Sequence, residues 1–132
     1  MNAALRFQEA VEAGDVVGAT EFFSDDITFH SPVKFRPFEG IDAVRALFRV
    51  LQRTFEDFRY VGRYDGTDGH VLHFRTTVNG KQVEGIDLIG LDADGRIGTF
   101  TVMIRPQSAL TAVGEAIWAG LVADGVVPGQ PG

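Results

Sequence analysis

Cysteine is absent from the 132 residues. That excludes disulfides, thiolate nucleophiles and zinc–thiolate sites. Basic side chains are scarce: twelve Lys and Arg face eighteen Asp and Glu, for a net charge of −6. A nucleic-acid or anionic-membrane binder needs a basic face, so neither partner is expected. No apolar stretch approaches the roughly 18 residues that cross a bilayer. Met1 to Val11 carries Arg6 and Glu9 and no continuous apolar run. No secretory signal is expected there, and a cytoplasmic location is the default. Aromatic rings with a polar handle are few, with two Tyr and one Trp against eleven Phe. The aromatic volume is therefore nearly all without hydrogen-bonding capacity.

What is present fits one globular domain. Hydrophobic residues make up 45% and charged residues 23%, a balance that builds a core rather than a disordered chain. No repeat or internal linker interrupts residues 1–123. The composition changes only at Asp124–Gly132, with Pro128 and Pro131, which reads as a flexible tail.

Periodicity supplies the elements. Ala4, Phe7 and Val11 recur at helical spacing, and Gly14-Asp15 ends that helix. A second short helix is expected at about 15–23, a short strand at 27–31 stopped by Pro32, then a loop to Gly40. Val44, Leu47, Phe48, Leu51 and Phe55 make the stripe of a helix over about 41–55. The period then becomes two. Asp65-Gly66, Asp68-Gly69, Asn79-Gly80 and Asp94-Gly95 punctuate strands near 57–65, 70–79, 82–92 and 96–105. Pro106 opens a last helix with Leu110, Val113, Ile117 and Leu121 on one face. The order α-α-β-α-β-β-β-β-α means an α+β fold with an antiparallel sheet.

Several segments carry a resemblance. Gly14-Asp15, Phe22-Phe23-Ser24-Asp25-Asp26-Ile27-Thr28-Phe29, Phe38-Glu39-Gly40-Ile41-Asp42-Ala43-Val44, and Ile86-Asp87-Leu88-Ile89 with Asp94-Gly95-Arg96-Ile97 resemble the nuclear transport factor 2-like superfamily. Ketosteroid isomerases and SnoaL-like polyketide cyclases are its nearest enzymatic branches, and the resemblance covers about residues 3–106. It implies a cone: a strongly curved antiparallel sheet, closed by the N-terminal helices, around an apolar pocket. It also implies a homodimer formed through the outer sheet face, where Thr77, Ile86, Leu88, Thr99 and Thr101 would lie.

Asp87 is the leading chemical residue. It interrupts an apolar strand between Ile86 and Leu88, and burial without a partner disfavours its charged form. In the ketosteroid isomerases that this chain resembles, an Asp at the matching place stays protonated and donates to the substrate oxyanion. The bland alternative is a strand Asp bonded to its neighbours or turned outward. The rest of the resembled site departs from that pattern. Its general base falls at Ser31, its oxyanion tyrosine at Phe7, and two supporting tyrosines at Phe23 and Phe48. A serine cannot shuttle a proton near neutral pH without a base beside it, so ordinary ketosteroid isomerisation is disfavoured. His30 has suitable acid–base character, though alternation with Phe29 and Ser31 turns it outward unless Pro32 twists the strand end. An epoxide-hydrolase triad is also not assembled, because the last-strand Asp of that branch falls at Val102, and Arg75 is expected to face outward with His73.

The expected site thus has Asp87, Ser31 and His30 as catalytic candidates. The wall is Phe7, Phe23, Phe29 and Phe48 from the helical side, with Leu72, Phe74, Phe100 and Val102 from the sheet. Phe35 and Phe38 are candidate gates. No His, Asp or Glu pair has metal-ligand spacing, and no cofactor is expected. Three functions fit: an isomerase- or cyclase-type enzyme acting on a hydrophobic ketone through Asp87, a binder of hydrophobic small molecules, or an assembly domain whose pocket is filled by Phe.

Overall fold

The computed structural model describes residues 2–126. Helix α1, Ala3–Glu12, starts where the Asn2 side chain accepts the Leu5 N–H at 2.9 Å. It buries Ala4, Phe7 and Val11. A tight 3-10 turn, Gly18–Phe22, stands where a second helix was expected. Strand β1 is Phe23–His30, starting earlier than the expected 27. Phe23 pairs with Ile97 before the register shifts, so the polar Ser24-Asp25-Asp26 run is an irregular strand segment rather than a stop. A two-residue strand β2, Phe38–Glu39, pairs with β1 inside the expected loop. Helix α2, Ile41–Thr54, follows.

The remaining strands match the punctuated runs: β3 Glu56–Asp65, β4 His70–Val78, β5 Lys81–Leu91 and β6 Ile97–Arg105. Asn79 and Gly80 both have positive φ, 49° and 79°, and join β4 to β5 in a two-residue hairpin. Helix α3, Gln107–Ala123, begins after Pro106 and buries Ala109, Val113, Ile117 and Leu121. Ala109 takes the core position given above to Leu110. Asp124 follows α3 and pairs with Arg53 of α2 at 2.8 Å; residues 127–132 of the expected tail lie outside the described residues.

The fold is α+β, with one curved, unclosed six-stranded sheet in the order β2-β1-β6-β5-β4-β3. Among the described residues only β1 and β6 pair in parallel. Register shifts at Glu56/Arg59, Tyr60/Gly62 and Gly90/Leu91 mark irregularities of the kind that bend strands. The helices close the concave face, and six buried phenylalanines stand among the aliphatic residues of the core between helices and sheet. Phe29 stacks on Phe100 at 5.3 Å, Phe7 on Phe23 at 5.6 Å, and Phe48 meets Phe23 and Phe29 edge-on. A second cluster joins Phe55, Phe58, Phe74 and Tyr60.

Two glycines set close approaches that shape the site. A Cβ at Gly85 would stand 2.5 Å from the Phe74 ring and from the Met103 carbonyl. Its absence lets Phe74 lie flat against β5. A Cβ at Gly114 would stand 2.7 Å from Val33 Cγ1, so the loop after β1 rests directly on the backbone of α3.

Candidate functional site

Between helices and sheet lies a cavity of about 310 Å³, near the lower end of small-molecule sites at roughly 300–1,000 Å³. Phe7, Phe29, Phe48, Phe74, Phe100 and Val102 line it, as expected from the strand and helix faces. Asp87 and Ser31 also open onto it.

Three expected residues do not line the cavity. Phe23 stands behind Phe7 and Phe100, with ring centroids 5.6 and 5.7 Å away, in the second layer of the core. Leu72 shares the inner face of β4 with Phe74 but is wholly absorbed by the core. His30 pairs across from Thr101 and lines a shallow groove on the other side, beside Phe35 and Met103. Alternation along β1 holds to its end, and Pro32 does not rotate His30 inward. Of the two expected gates, Phe38 reaches the cavity while Phe35 is 97% exposed.

Asp87 sits on β5 in one row with Leu72 and Val102. It is 5% exposed. Burial raises its carboxyl to about 7, opposed only by a hydrogen bond from Tyr60. Tyr60 Oη donates to Asp87 Oδ2 at 2.7 Å. The tyrosine hydroxyl is itself held well above its ordinary range, first by burial, then by the charge and hydrogen bond of Asp87 and the charge of Glu12. A buried tyrosine of this kind stays a donor at neutral pH, while its partner carboxyl is near half-protonated.

Tyr60 is the polar residue of the candidate site that sequence reasoning missed. It reaches from β3 across β4 to β5, opposite Phe74 in the register. Its period-two spacing with Phe58, and its being one of only two tyrosines, were the available signals. Asp87 is therefore not alone among phenylalanines, even though Phe7, Phe23 and Phe48 supply no hydroxyl.

Ser31 lies just past β1. Phe29 and His30 pair with Phe100 and Thr101, so Ser31 continues level with Val102, which pairs with Asp87. Two inter-strand steps, roughly 10 Å, thus separate Ser31 from Asp87. Its Oγ accepts long bonds of 3.4 Å from the Val33 and Lys34 N–H groups. No base stands against it in the hydrogen bonds of the described residues, which leaves it a hydrogen-bond donor to the cavity. Lys34, Gln52 and Trp118 complete the polar part of the wall, and Asp87 is its one carboxylate among the described residues.

On the outer face, Arg75 and His73 bond Glu84 at 3.2 and 2.7 Å; on the opposite face, at the start of β4, His70 bonds Asp65 of the neighbouring strand end at 2.7 Å. The outward placement of Arg75 and His73 follows the alternation. Among the described residues no group of three or more His, Asp or Glu is placed to hold a metal. No helix among them is long and apolar enough to cross a membrane.

Comparison with known proteins agrees with this architecture. A steroid delta-isomerase from Pseudomonas aeruginosa is similar at 30% identity and a TM-score of 0.87, over 95% of this chain and 93% of that one. An uncharacterised cystatin-like-fold protein from Silicibacter pomeroyi is similar at 28% identity and 0.86, over 93% and 87%. The epoxide hydrolase/cyclase-like enzyme SalBIII, of pyran ring formation in salinomycin, shares the fold at 19% identity and 0.66, over 81% and 90%. Among curated proteins, none matches. The model of the SnoaL-like domain matches residues 4–99. An NTF2-like protein from Cytophaga hutchinsonii shares the fold at 20% identity and a TM-score of 0.61, over 80% and 89%, and the chain belongs to the SnoaL-like domain family.

Proposed function

We propose that the cavity binds a hydrophobic small molecule bearing a carbonyl or similar oxygen, and that Asp87 acts on that oxygen as a general acid in isomerase- or cyclase-type chemistry. One observation carries this reading: a buried carboxyl near pH 7, opening onto an apolar cavity and backed by Tyr60. An acid tuned to neutral pH is both protonated enough to donate and acidic enough to transfer. In its protonated form Asp87 directs an O–H at the ligand oxygen, while Tyr60 donates to its other oxygen. Donors in such a chain polarise one another, and their pull grows as negative charge develops on the ligand. The names of two similar proteins, an isomerase and an epoxide hydrolase/cyclase-like enzyme, support the same class. Ser31 steadies the ligand from the opposite side as a donor.

A second reading is binding without turnover. It is favoured by Asp87 being the one carboxylate of the wall among the described residues, since many proton relocations need a second acid–base group. The pH profile separates the two. Incubation with a panel of hydrophobic bicyclic ketones, followed by mass spectrometry and proton–deuterium exchange, reads turnover. Acid catalysis by Asp87 is full below pH 7 and falls tenfold per unit well above it, and Asp87→Asn abolishes it while ligands still bind. Binding of the ketones with no exchange at any pH leaves the binding reading in place and removes the catalytic one.

The partner we propose for the outer sheet face is a second copy of the chain. Ile86 pairs with Met103 and Leu88 with Thr101 there, and Leu88 and Met103 are 41% and 52% exposed. Such a contiguous apolar area is what a two-fold interface covers.

A further inference from the structure

We propose that the cavity's ligand is an amphipathic anion, its acidic group held at the entrance by Lys34 while its far oxygen meets Asp87. This rests on the cavity being a small-molecule site, and it names the class of molecule.

Lys34 is the one cation of the cavity wall among the described residues. It is half-buried, and it also lines the shallow groove outside, so it stands where interior meets surface. Of the twelve Lys and Arg, five arginines, at 53, 59, 63, 75 and 105, are each paired with a carboxylate; what sets Lys34 apart from the other unpaired cations is its place on the cavity wall. Lys34 belongs to none of the ion pairs of the described residues. Its Nζ instead lies 4.3 Å from the centroid of Phe38, itself a wall residue. Attraction to the ring face fixes the ammonium at the rim without neutralising it. In a chain of net charge −6, a cation left uncompensated beside an apolar cavity is not part of a general basic surface.

The spacing sets the ligand's form. Lys34 follows Ser31 by three residues, and Ser31 lies two inter-strand steps, roughly 10 Å, from Asp87. A ligand that meets Asp87 and reaches past Ser31 to Lys34 has an apolar body of at least about that length, a hydrogen-bonding oxygen at one end and a carboxylate, sulfonate or phosphate at the other. The inner end discriminates against a second anion, because ionised Asp87 would repel it. Polarity is thereby imposed on how the molecule enters.

A matched probe pair tests this. 1-Anilinonaphthalene-8-sulfonate and N-phenyl-1-naphthylamine share one aromatic frame and differ by the sulfonate; both fluoresce in apolar sites. Titration of the parent, Lys34→Met and Lys34→Arg gives each dissociation constant. The expected result is that Lys34→Met weakens the sulfonate probe about fivefold, the yield of a partly exposed ion pair. The neutral probe is unchanged within twofold, and Lys34→Arg restores the sulfonate. Raising salt weakens the sulfonate on the parent but not on Lys34→Met. Equal effects on both probes, or none on either, overturn the inference and make Lys34 a cover for apolar surface. If neither probe binds the parent, the small-molecule reading beneath it fails too. Val102→Trp, which fills the cavity, is expected to abolish both signals; undiminished binding by that folded variant likewise places the probes outside and overturns the proposal.

Discussion

Replacing Asp87 by Asn should make the protein more stable, and increasingly so as pH rises. The side chain is 5% exposed, and its carboxyl titrates near 7 in the fold against 3.8 in the open chain. A folded value above the unfolded one means that the native state prefers the protonated form. That preference is satisfied below 3.8 and is lost as pH rises through 7. A difference of about three pH units corresponds to about 4 kcal/mol between the protonated and ionised limits. Integrated over pH, the parent's deficit is about 0.6 kcal/mol at pH 4 and about 4 kcal/mol at pH 8. Asn keeps the shape and still accepts the Tyr60 hydrogen bond, so it adds only an offset that does not vary with pH. Urea unfolding of parent and variant at pH 4, 5, 6, 7 and 8, followed by circular dichroism, gives the gap directly. It should widen by roughly 3–4 kcal/mol across the series, or roughly 10 °C in melting temperature for a domain of this size. A gap constant to within about 1 kcal/mol would refute the reasoning. It would mean that Asp87 is hydrated or paired in the native protein, and the acid assigned to the cavity would lose its basis.

The other predictions follow the same geometry. Tyr60→Phe removes the hydrogen bond that holds the Asp87 carboxyl down, so the carboxyl should titrate higher than in the parent. Carbon-13 NMR of labelled aspartate reads this, and a fall would show that Tyr60 does not donate to it. Leu88→Lys places a charge at the centre of the exposed apolar area on β5. Sedimentation should show a dimeric parent and a monomeric, folded variant, whereas a monomeric parent at tens of micromolar removes the proposed pairing.

Element type was legible wherever one periodicity ran for two turns or more, as with Val44, Leu47 and Phe48 on α2 or the hairpin at Asn79-Gly80. It failed at 15–23, where spacing near four residues was satisfied by a 3-10 turn. It failed again at Phe38-Glu39, whose two-residue strand is held by pairing with distant β1 and has no pattern of its own. Asp87 stood out because a carboxylate among β-branched and leucine neighbours is costly to bury. Tyr60 did not stand out. Its partner is 27 residues away, and two register shifts on β3 decide which way it faces. Depth was also hidden: Phe23 and Leu72 face inward as read, yet facing the core and reaching the cavity differ by one layer of side chains.

The contact between Val33 and Gly114 ties the mouth of the molecule to its last helix. Because Gly114 brings no side chain, Val33 of the loop carrying Ser31 and Lys34 seats directly on the backbone of α3, so inward pressure on that loop is passed to the helix. For the small molecule proposed above, a ligand wider than this opening would have to displace α3, which Arg53 and Asp124 also tie to α2. Its admission would then follow the stiffness of a helix pair rather than the suppleness of a loop, and a change that loosens α3, even at its far end, is expected to alter how fast the ligand enters before it alters how tightly it is held.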